Sequence, residues 1–370
     1  MVREGLLAGG EGGMNRLPTE AEILTDPTFV HTVSISGGKD STATYCKALE
    51  AGVRFIPVAA DTGNENAVTY EQIANLPEWT GGPAVHWVRA DLTDRIVRKR
   101  EYIAANWHKP GRQGEPPVSP ERIAEALRVL DERLANPGSA NPYLDLCLWK
   151  GLFPSRKAQF CTEVLKVEPI QKWQADMLRA GAVVISWQGV RAAESFERRD
   201  LPMIQELDAE TVCGAPVPGR LIAYRPLIHV ETVDEVFAIA ARHGVPRNPL
   251  YDLGASRVGC WPCINCVKAE LVLVASSTPQ DIDRLTAWEK MVSRVSRRGA
   301  ATFFTVVNDP VMAQEIAYAR GAGEAMEITP ETHGIRRMVE WAKTDRGGRQ
   351  YRLFDDPIPS PACNAHGMCE

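Results

Sequence analysis

The most constraining feature of this chain is a junction near its start. The apolar run FVHTVSI (Phe29–Ile35) passes into Ser36-Gly37-Gly38-Lys39-Asp40-Ser41. DSTATYCKALEAG (Asp40–Gly52) follows and reads as a helix, with Gly52 near its C-terminal cap. Small residues between a strand and a helix let backbone N–H groups close on an anion, and the helix adds its N-terminal partial positive charge. Ser36, Gly37 and Gly38 make the turn, Lys39 brings a cation, and Asp40 and Ser41 open the helix. The hexad is not a Walker A loop, because Asp follows the lysine, and it is not G-x-G-x-x-G. A plain Gly turn with an Asp/Ser cap is the bland alternative; the complete hexad in a strand–loop–helix setting points to phosphate.

The pattern then repeats. RFIPVAA (Arg54–Ala60) reads as a second strand ending at DTGNEN, and AVHWVRA (Ala84–Ala90) as a third. AVVISWQGV (Ala182–Val190) and RLIAYRPLI (Arg220–Ile228) read as further strands, and TVDEVFAIAARHG (Thr232–Gly244) as a helix with a Gly stop. Strands alternating with helices at these lengths predict βαβ units and a parallel sheet. Residues 92–135 read as mainly helical, broken by the loop HKPGRQGEPPVSP. Four regions are expected: an arm over 1–27, a nucleotide-binding α/β domain over 28–270, a helical extension over 271–345 and an irregular tail over 346–370.

The net charge of −5 argues against bulk attraction to nucleic acid. RIVRKREY (Arg95–Tyr102) and VSRVSRRG (Val292–Gly299) are local basic candidates, with a solvated helix face as the favoured reading of each. There is neither an apolar leader nor an apolar run long enough to span a membrane, so a cytoplasmic protein is expected. In that reducing setting the nine cysteines read as metal ligands, catalytic thiols or buried apolar residues.

Three of them, Cys260, Cys263 and Cys266, form C-x₂-C-x₂-C in SRVGCWPCINCVKAE. That spacing is shared with the first three ligands of the bacterial ferredoxin run. A four-cysteine zinc site is the nearest alternative. Cys161, in SRKAQFCTEVLKVEP, is the favoured fourth ligand, with Cys147, Cys363 and Cys369 in competition. Arg191 in GVRAAES offers a planar fork suited to phosphate or sulfate oxygens, with Glu194 placed to orient it; a surface ion pair is the plain alternative.

The hexad resembles the PP-loop of the adenine nucleotide α-hydrolase superfamily. ADTGNEN, FCTEVLKVEP, GVRAAESFERR and NPLYDLGASRVGCWPC, in that order between Val33 and Cys266, resemble the PAPS reductase family. The resemblance implies a Rossmann-like α/β fold with a cysteine-rich cluster segment and a helical C-terminal region. It implies pyrophosphate binding by Ser36–Ser41, Mg²⁺-linked work for Asp40, an Asp61 that faces nucleotide or metal, with a plain turn aspartate as the equal alternative, and a [4Fe-4S] cluster held by Cys161 and the later cysteines. The assimilatory form has a tandem cysteine pair at the first site; here Phe160 precedes Cys161, and Cys266 offers a replacement.

Three activities are consistent with these residues. An intact loop lysine suits release of pyrophosphate, hence an ATP pyrophosphatase coupled to sulfur transfer. That combination is similar to the PAPS-reductase-like component of DNA phosphorothioation systems, to prophage-encoded PAPS reductase-like proteins and, more distantly, to tRNA thiolation enzymes. A sulfonucleotide reductase acting on APS or PAPS would instead use a tail thiol, Cys369 or Cys363, in PACNAHGMCE, where the family's Glu-Cys order is reversed. A non-catalytic nucleotide and cluster sensor is the third. The implied partners are an adenine nucleotide, a sulfur donor or reductant protein of cysteine desulfurase or thioredoxin type, and DNA or tRNA as acceptor, with an oligomer left open.

Overall fold

The computed structural model describes residues 16–111, 115–304 and 329–344. Helix α1 (Glu20–Thr25) starts with a Thr19/Glu22 capping box. It docks through the fully buried Ile23, and Glu20 accepts a hydrogen bond from Tyr224. Strand β1 (Val30–Ile35), buried along almost its whole length, leads through the Ser-Gly-Gly turn into α2 (Lys39–Glu50). β2 (Phe55–Asp61), α3 (Ala67–Thr80) and β3 (His86–Arg89) complete the first half of the sheet.

A helical insertion follows: α4 (Thr93–Asn106), α5 (Pro120–Ala135) and α6 (Pro142–Lys150). Then come the single turn α7 (Phe160–Thr162), a π-helical turn over Glu163–Val167, and α8 (Glu168–Arg179). β4 (Val183–Trp187), β5 (Ile204–Leu207), α9 (Ala209–Cys213), β6 (Arg220–Tyr224) and α10 (Val233–Arg242) close the sheet. The short α11 (Pro249–Asp252) precedes the cysteine segment, and α12 (Lys268–Ser277) and α13 (Pro279–Arg294) follow it. The last described helices are Pro330–His333 and Ile335–Ala342.

The strand order is β3-β2-β1-β4-β6-β5, with only β5 antiparallel. The expected α/β class is therefore observed, a mostly parallel sheet flanked by helices. The chain winds outward from β1 in one direction, then returns to start β4 on β1's other side. That reversal opens a crevice at the carboxyl ends of β1 and β4, where open α/β sheets place ligands. Both the Ser36–Ser41 hexad and the Gly189–Arg191 segment follow directly on those ends.

Two cores support it. One face of the sheet packs Val33, Ile35, Ile185 and Trp187 against Ala43 and Tyr45 of α2 and Val236 of α10. The opposite face is covered by α8 through Ile170 and Leu178. The second core is helical and joins Ile96, Leu130 and Leu146 to Trp261 and Ile264 of the cysteine segment, and to Leu285 and Ile335. The residues after 271 thus pack against the insertion and the cysteine segment. Glu289 of α13 bridges them, accepting from the amides of Phe303 (2.7 Å) and Ile335 (2.9 Å).

Two strand expectations change. β4 stops at Trp187 instead of Val190, which frees Gln188–Val190 as a turn; β6 stops at Tyr224, where the fully buried Arg225 turns to donate to Pro202 O and Gln205 Oε1. β5 was not anticipated: it is a four-residue edge strand without apolar alternation, formed because β6 offers a partner. Among the described residues no helix is long and apolar enough to cross a membrane.

Candidate active site

The loop is cross-braced before any ligand arrives. Ser36 N–H donates to Ser41 Oγ (3.1 Å), and Ser41 Oγ donates to Gly38 O (3.1 Å). Gly37 sits at φ +78°, and a Cβ there would lie 2.6 Å from Thr69 Cγ2 of α3, so only glycine lets α3 close on the turn. Gly38 caps α2 without a side chain, and the amide of Lys39 donates to Tyr251 Oη of α11 (2.9 Å). On the other side, a Cβ on Gly189 would come within 2.9 Å of the Asp40 carbonyl. The turn after β4 therefore lies directly on the first turn of α2.

This contact puts Arg191 beside Asp40. The Arg191 Nε donates to Asp40 Oδ1, and the Lys39 ammonium lies 3.1 Å from Asp40 Oδ2. Glu194 gathers the same cations, 3.4 Å from Arg191 and 3.9 Å from Lys39, and pairs with Arg198. Three cations and two carboxylates thus share one nearly buried cluster at the loop. Burial pushes the Glu194 carboxyl up, helped by Asp40 and opposed by the three cations. Such a cluster is charge-biased toward an anion and can re-pair when one enters.

A cavity of about 490 Å³ opens beside the loop, lined by Ser36, Ser41, Ala60, Tyr70, Trp87 and Lys166 among others. Its aromatic wall comes from the edge strand: Trp87 is half-exposed, with Tyr70 tilted against it at 5.8 Å between ring centres. Asp61, at the end of β2, accepts from Gly63 N–H (2.9 Å) and Tyr70 O–H (2.6 Å), and Arg89 lies 3.6 Å away. It closes the turn and orients Tyr70.

A second, larger cleft of about 800 Å³ is lined by Cys161, Cys260, Cys263 and Cys266, and also by Ser36, Thr62 and Lys166. The cysteine loop is bolted to the turn after β2. Trp261 N–H donates to Asn64 O (2.6 Å), Asn64 Nδ2 donates to Pro262 O (3.2 Å), and the Trp261–Pro262 peptide is cis. Thr62 Oγ1 lies 3.9 Å from Cys260 Sγ, and Arg156 donates to Cys266 O (3.2 Å). Burial pushes the Cys260 and Cys266 thiols far up; Lys166 opposes this at Cys260, and Arg156 and Arg257 at Cys266. Among the described residues, no three His, Cys, Asp or Glu side chains converge on one point as ligands of a single ion. The four thiols instead surround the cleft.

The structure thus brings together Ser36, Gly37, Gly38, Lys39, Asp40, Ser41 and Arg191 at one end, and the four cysteines at the other. Cys363 and Cys369 lie outside the described residues. Lys166 was not singled out from the sequence, although it lines both cavities. The obstacle is its spacing: Cys161 and Lys166 are five apart, which a regular α-helix turns away from one another, and the π-helical turn aims both at the cleft. Tyr251, which holds the loop amide, lay within a quoted motif but had no role that sequence alone could assign.

Residues 145–266 match the phosphoadenosine phosphosulfate reductase domain. The chain is 41% identical over 350 residues to the uncharacterized 37.8 kDa protein in the gpa 5' region of Escherichia phage 186, covering 92% of this chain and 97% of that one. It is 34% identical over 186 residues to the adenosine 5'-phosphosulfate reductase of Allochromatium vinosum, covering 48% of this chain and 64% of that one. The corresponding figures for the Rhizobium tropici enzyme of the same name are 32% over 120 residues, 32% and 57%. The chain therefore spans less than two thirds of these reductases. The solved phosphoadenylyl-sulfate reductase of Candida auris, in a phosphate complex, aligns at TM-score 0.35 and 17% identity, over 65% of this chain and 85% of that one. The chain belongs with the phage 186 protein, a relative along nearly its whole length, and residues 145–266 match the phosphoadenosine phosphosulfate reductase domain.

Proposed function

We propose that this protein is a cytoplasmic ATP pyrophosphatase that adenylates a substrate oxygen and directs sulfur to the activated centre, beside an iron–sulfur cluster. The observation that carries the reading is a shared wall: Ser36 of the loop and Lys166 of the π-turn line both the loop-side cavity and the cysteine cleft. ATP would seat its adenosine against Trp87 and Tyr70 and its phosphates on the Ser36–Ser41 loop. The substrate oxygen attacks the α-phosphorus, the bond to the bridging oxygen breaks, and pyrophosphate leaves with the electron pair. Lys39 and Arg191 stand at the loop, where that charge develops. The terminal persulfide sulfur of a donor protein of cysteine desulfurase type then displaces AMP from the acceptor, DNA or tRNA, and a thioredoxin-type dithiol supplies the two electrons that cleave the resulting donor–acceptor S–S bond. Mg²⁺ would enter with the ATP phosphates: Asp40 is committed to Arg191 and Lys39, so no step is assigned to the ion.

The donor set fits a [4Fe-4S] cluster. Four thiols from two segments surround one cleft, and burial keeps Cys260 and Cys266 protonated until a metal takes the proton's place. When bound, such a cluster supplies an electron-transfer or polarising centre next to the substrate.

A second reading, reduction of APS or PAPS to sulfite with a tail thiol such as Cys369 and a thioredoxin-type reductant, is favoured by the reductases among the relatives. Anaerobically purified full-length protein, assayed in parallel with ATP plus nucleic acid and with APS or PAPS plus thiol, separates the two. Pyrophosphate from ATP is the expected product. Sulfite from a sulfonucleotide, with no pyrophosphate from ATP, overturns the first reading.

A further inference from the structure

The phosphate loop has a second side that the cavity at Trp87 does not use. Gly37, Gly38 and Lys39 line a third cavity, of about 340 Å³, together with Phe237 of α10, Arg247, and Tyr251 of α11. No lining residue is common to this cavity and the one at Trp87, so the residues of the hexad are divided between the two. The charges in its described lining are of one sign, Lys39 and Arg247 with no carboxylate; Glu65 lines the cavity at Trp87, and Glu270 lines the cysteine cleft. Lys39 is shared with Asp40 at 3.1 Å, so Arg247 gives the cavity its bias toward an anion.

Arg247 is exposed, but its place is set by contacts that lead back to the loop. Its guanidinium sits over the Phe237 ring, with Cζ 4.1 Å from the ring centre. Phe237 meets Tyr251 edge to face at 5.3 Å, and Tyr251 Oη accepts from the Lys39 amide at 2.9 Å. The backbone on either side is pinned as well. Gln72 Nε2 of α3 donates to Pro246 O (2.9 Å), and the buried Asn248 caps α11 by accepting from Leu250 N–H (3.0 Å). A ring face attracts the charge without consuming N–H donors as a carboxylate would. The planar fork of those donors matches paired phosphate oxygens.

We propose that Arg247 is a substrate-binding residue that holds the β- and γ-phosphates of ATP in this cavity, and so selects a nucleotide with a terminal diphosphate. This rests on the ATP reading above. With adenosine against Trp87 and the α-phosphate at the hexad, the terminal phosphates cross to the Gly37–Lys39 side, and the leaving pyrophosphate keeps a cation partner there. APS and PAPS carry sulfate in place of the terminal diphosphate and would leave Arg247 unused.

The test uses full-length protein purified anaerobically, with inorganic pyrophosphate, AMP, ATP and PAPS as probes. Binding is read by titration calorimetry, and ATP cleavage by pyrophosphate release. In Arg247→Ala the affinity for inorganic pyrophosphate should fall about 10–100-fold, the usual loss for a hydrogen bond to a charged group, and the KM for ATP should rise by about the same factor. AMP, which has no terminal diphosphate, should bind the variant as it binds the wild type, and Arg247→Lys should recover part of the pyrophosphate affinity. Unchanged affinity for pyrophosphate and ATP in Arg247→Ala overturns the proposal. So does an equal loss of AMP affinity, which would mark a purely structural role. A loss confined to PAPS would assign Arg247 to its 3'-phosphate and overturns the proposal as well. A wild type that binds pyrophosphate through Arg247 but releases none from ATP keeps the subsite and overturns the activity reading, so the two failures are distinct.

Discussion

Asp40 has no exposed surface, and its carboxylate is met by Arg191 and Lys39. At residue scale the site is therefore held by charges that cannot be removed one at a time without consequence. Removing Arg191 leaves a buried carboxylate with half its compensation, and breaking such pairs costs about 3–5 kcal/mol. Arg191→Ala should lower the denaturant midpoint accordingly, while Asp40→Asn combined with Arg191→Gln should recover much of the loss. A double variant whose loss is simply the sum of the losses in the two single variants would show that the pair is not coupled. Lys39 differs, since its ammonium completes the cluster from the outside of the pair. Lys39→Ala is expected to keep the fold and the iron content and to lose about 10²–10³ in rate of pyrophosphate release. Near-normal release would place Lys39 outside the reaction. The loop residues were legible because their chemistry is local: six consecutive positions carry turn, cation and cap. The Asp40–Arg191 pairing spans 151 positions and depends on β4 lying beside β1, which no local pattern states.

At the scale of elements, the cysteine site is a junction of three short pieces: α7 with its π-turn, the cysteine loop and the turn after β2. Cys161→Ser, Cys260→Ser, Cys263→Ser and Cys266→Ser are each expected to lose or destabilise the cluster, read as iron and sulfide per chain after anaerobic purification. Cys46→Ser and Cys213→Ser should keep both. Cys46 is buried in the sheet core with its thiol pushed up to about 12 by burial, and Cys213 ends α9 on the far side of α8. A normal cluster in Cys161→Ser would move the fourth ligand elsewhere, to Cys147, Cys363 or Cys369. C-x₂-C-x₂-C was legible because loop ligands keep their sequence spacing in space. Lys166 was not, because a π-turn changes which residues of a helix share a face, and no periodicity of the surrounding residues announces it.

At the scale of the whole molecule, the sheet was legible from its buried strands. The join between sheet and helical core was not, since it runs through single polar side chains. Two other buried polar side chains, one in the helical core and one in the sheet, give opposite responses to pH. Glu289, which ties α13 to Phe303 and Ile335, has its carboxyl pushed up to about 7 by burial, against the pull of the two amides. Its folded value lies above the unfolded one, so its favourable contribution is complete below about 4.5 and is lost as pH rises toward 7. The loss amounts to about 3 kcal/mol. His31, under β4, accepts from Trp187 Nε1 (3.0 Å), and burial lowers it to about 4. Its folded value lies below the unfolded one, so stability is complete above about 6.5 and is lost as pH falls toward 4, again by about 3 kcal/mol. Between pH 4.5 and 6.5 the two slopes nearly cancel, and these two groups leave the wild type almost flat there. Glu289→Gln keeps an acceptor for the two amides and removes one slope. Its denaturant midpoint should therefore climb from pH 4.5 to 6.5, where the folded His31 is already neutral and the unfolded chain gives up its imidazole proton. His31→Gln should show the reverse, a midpoint that declines over the same window. Two variants with parallel pH profiles would show that neither group titrates across the fold as its burial requires.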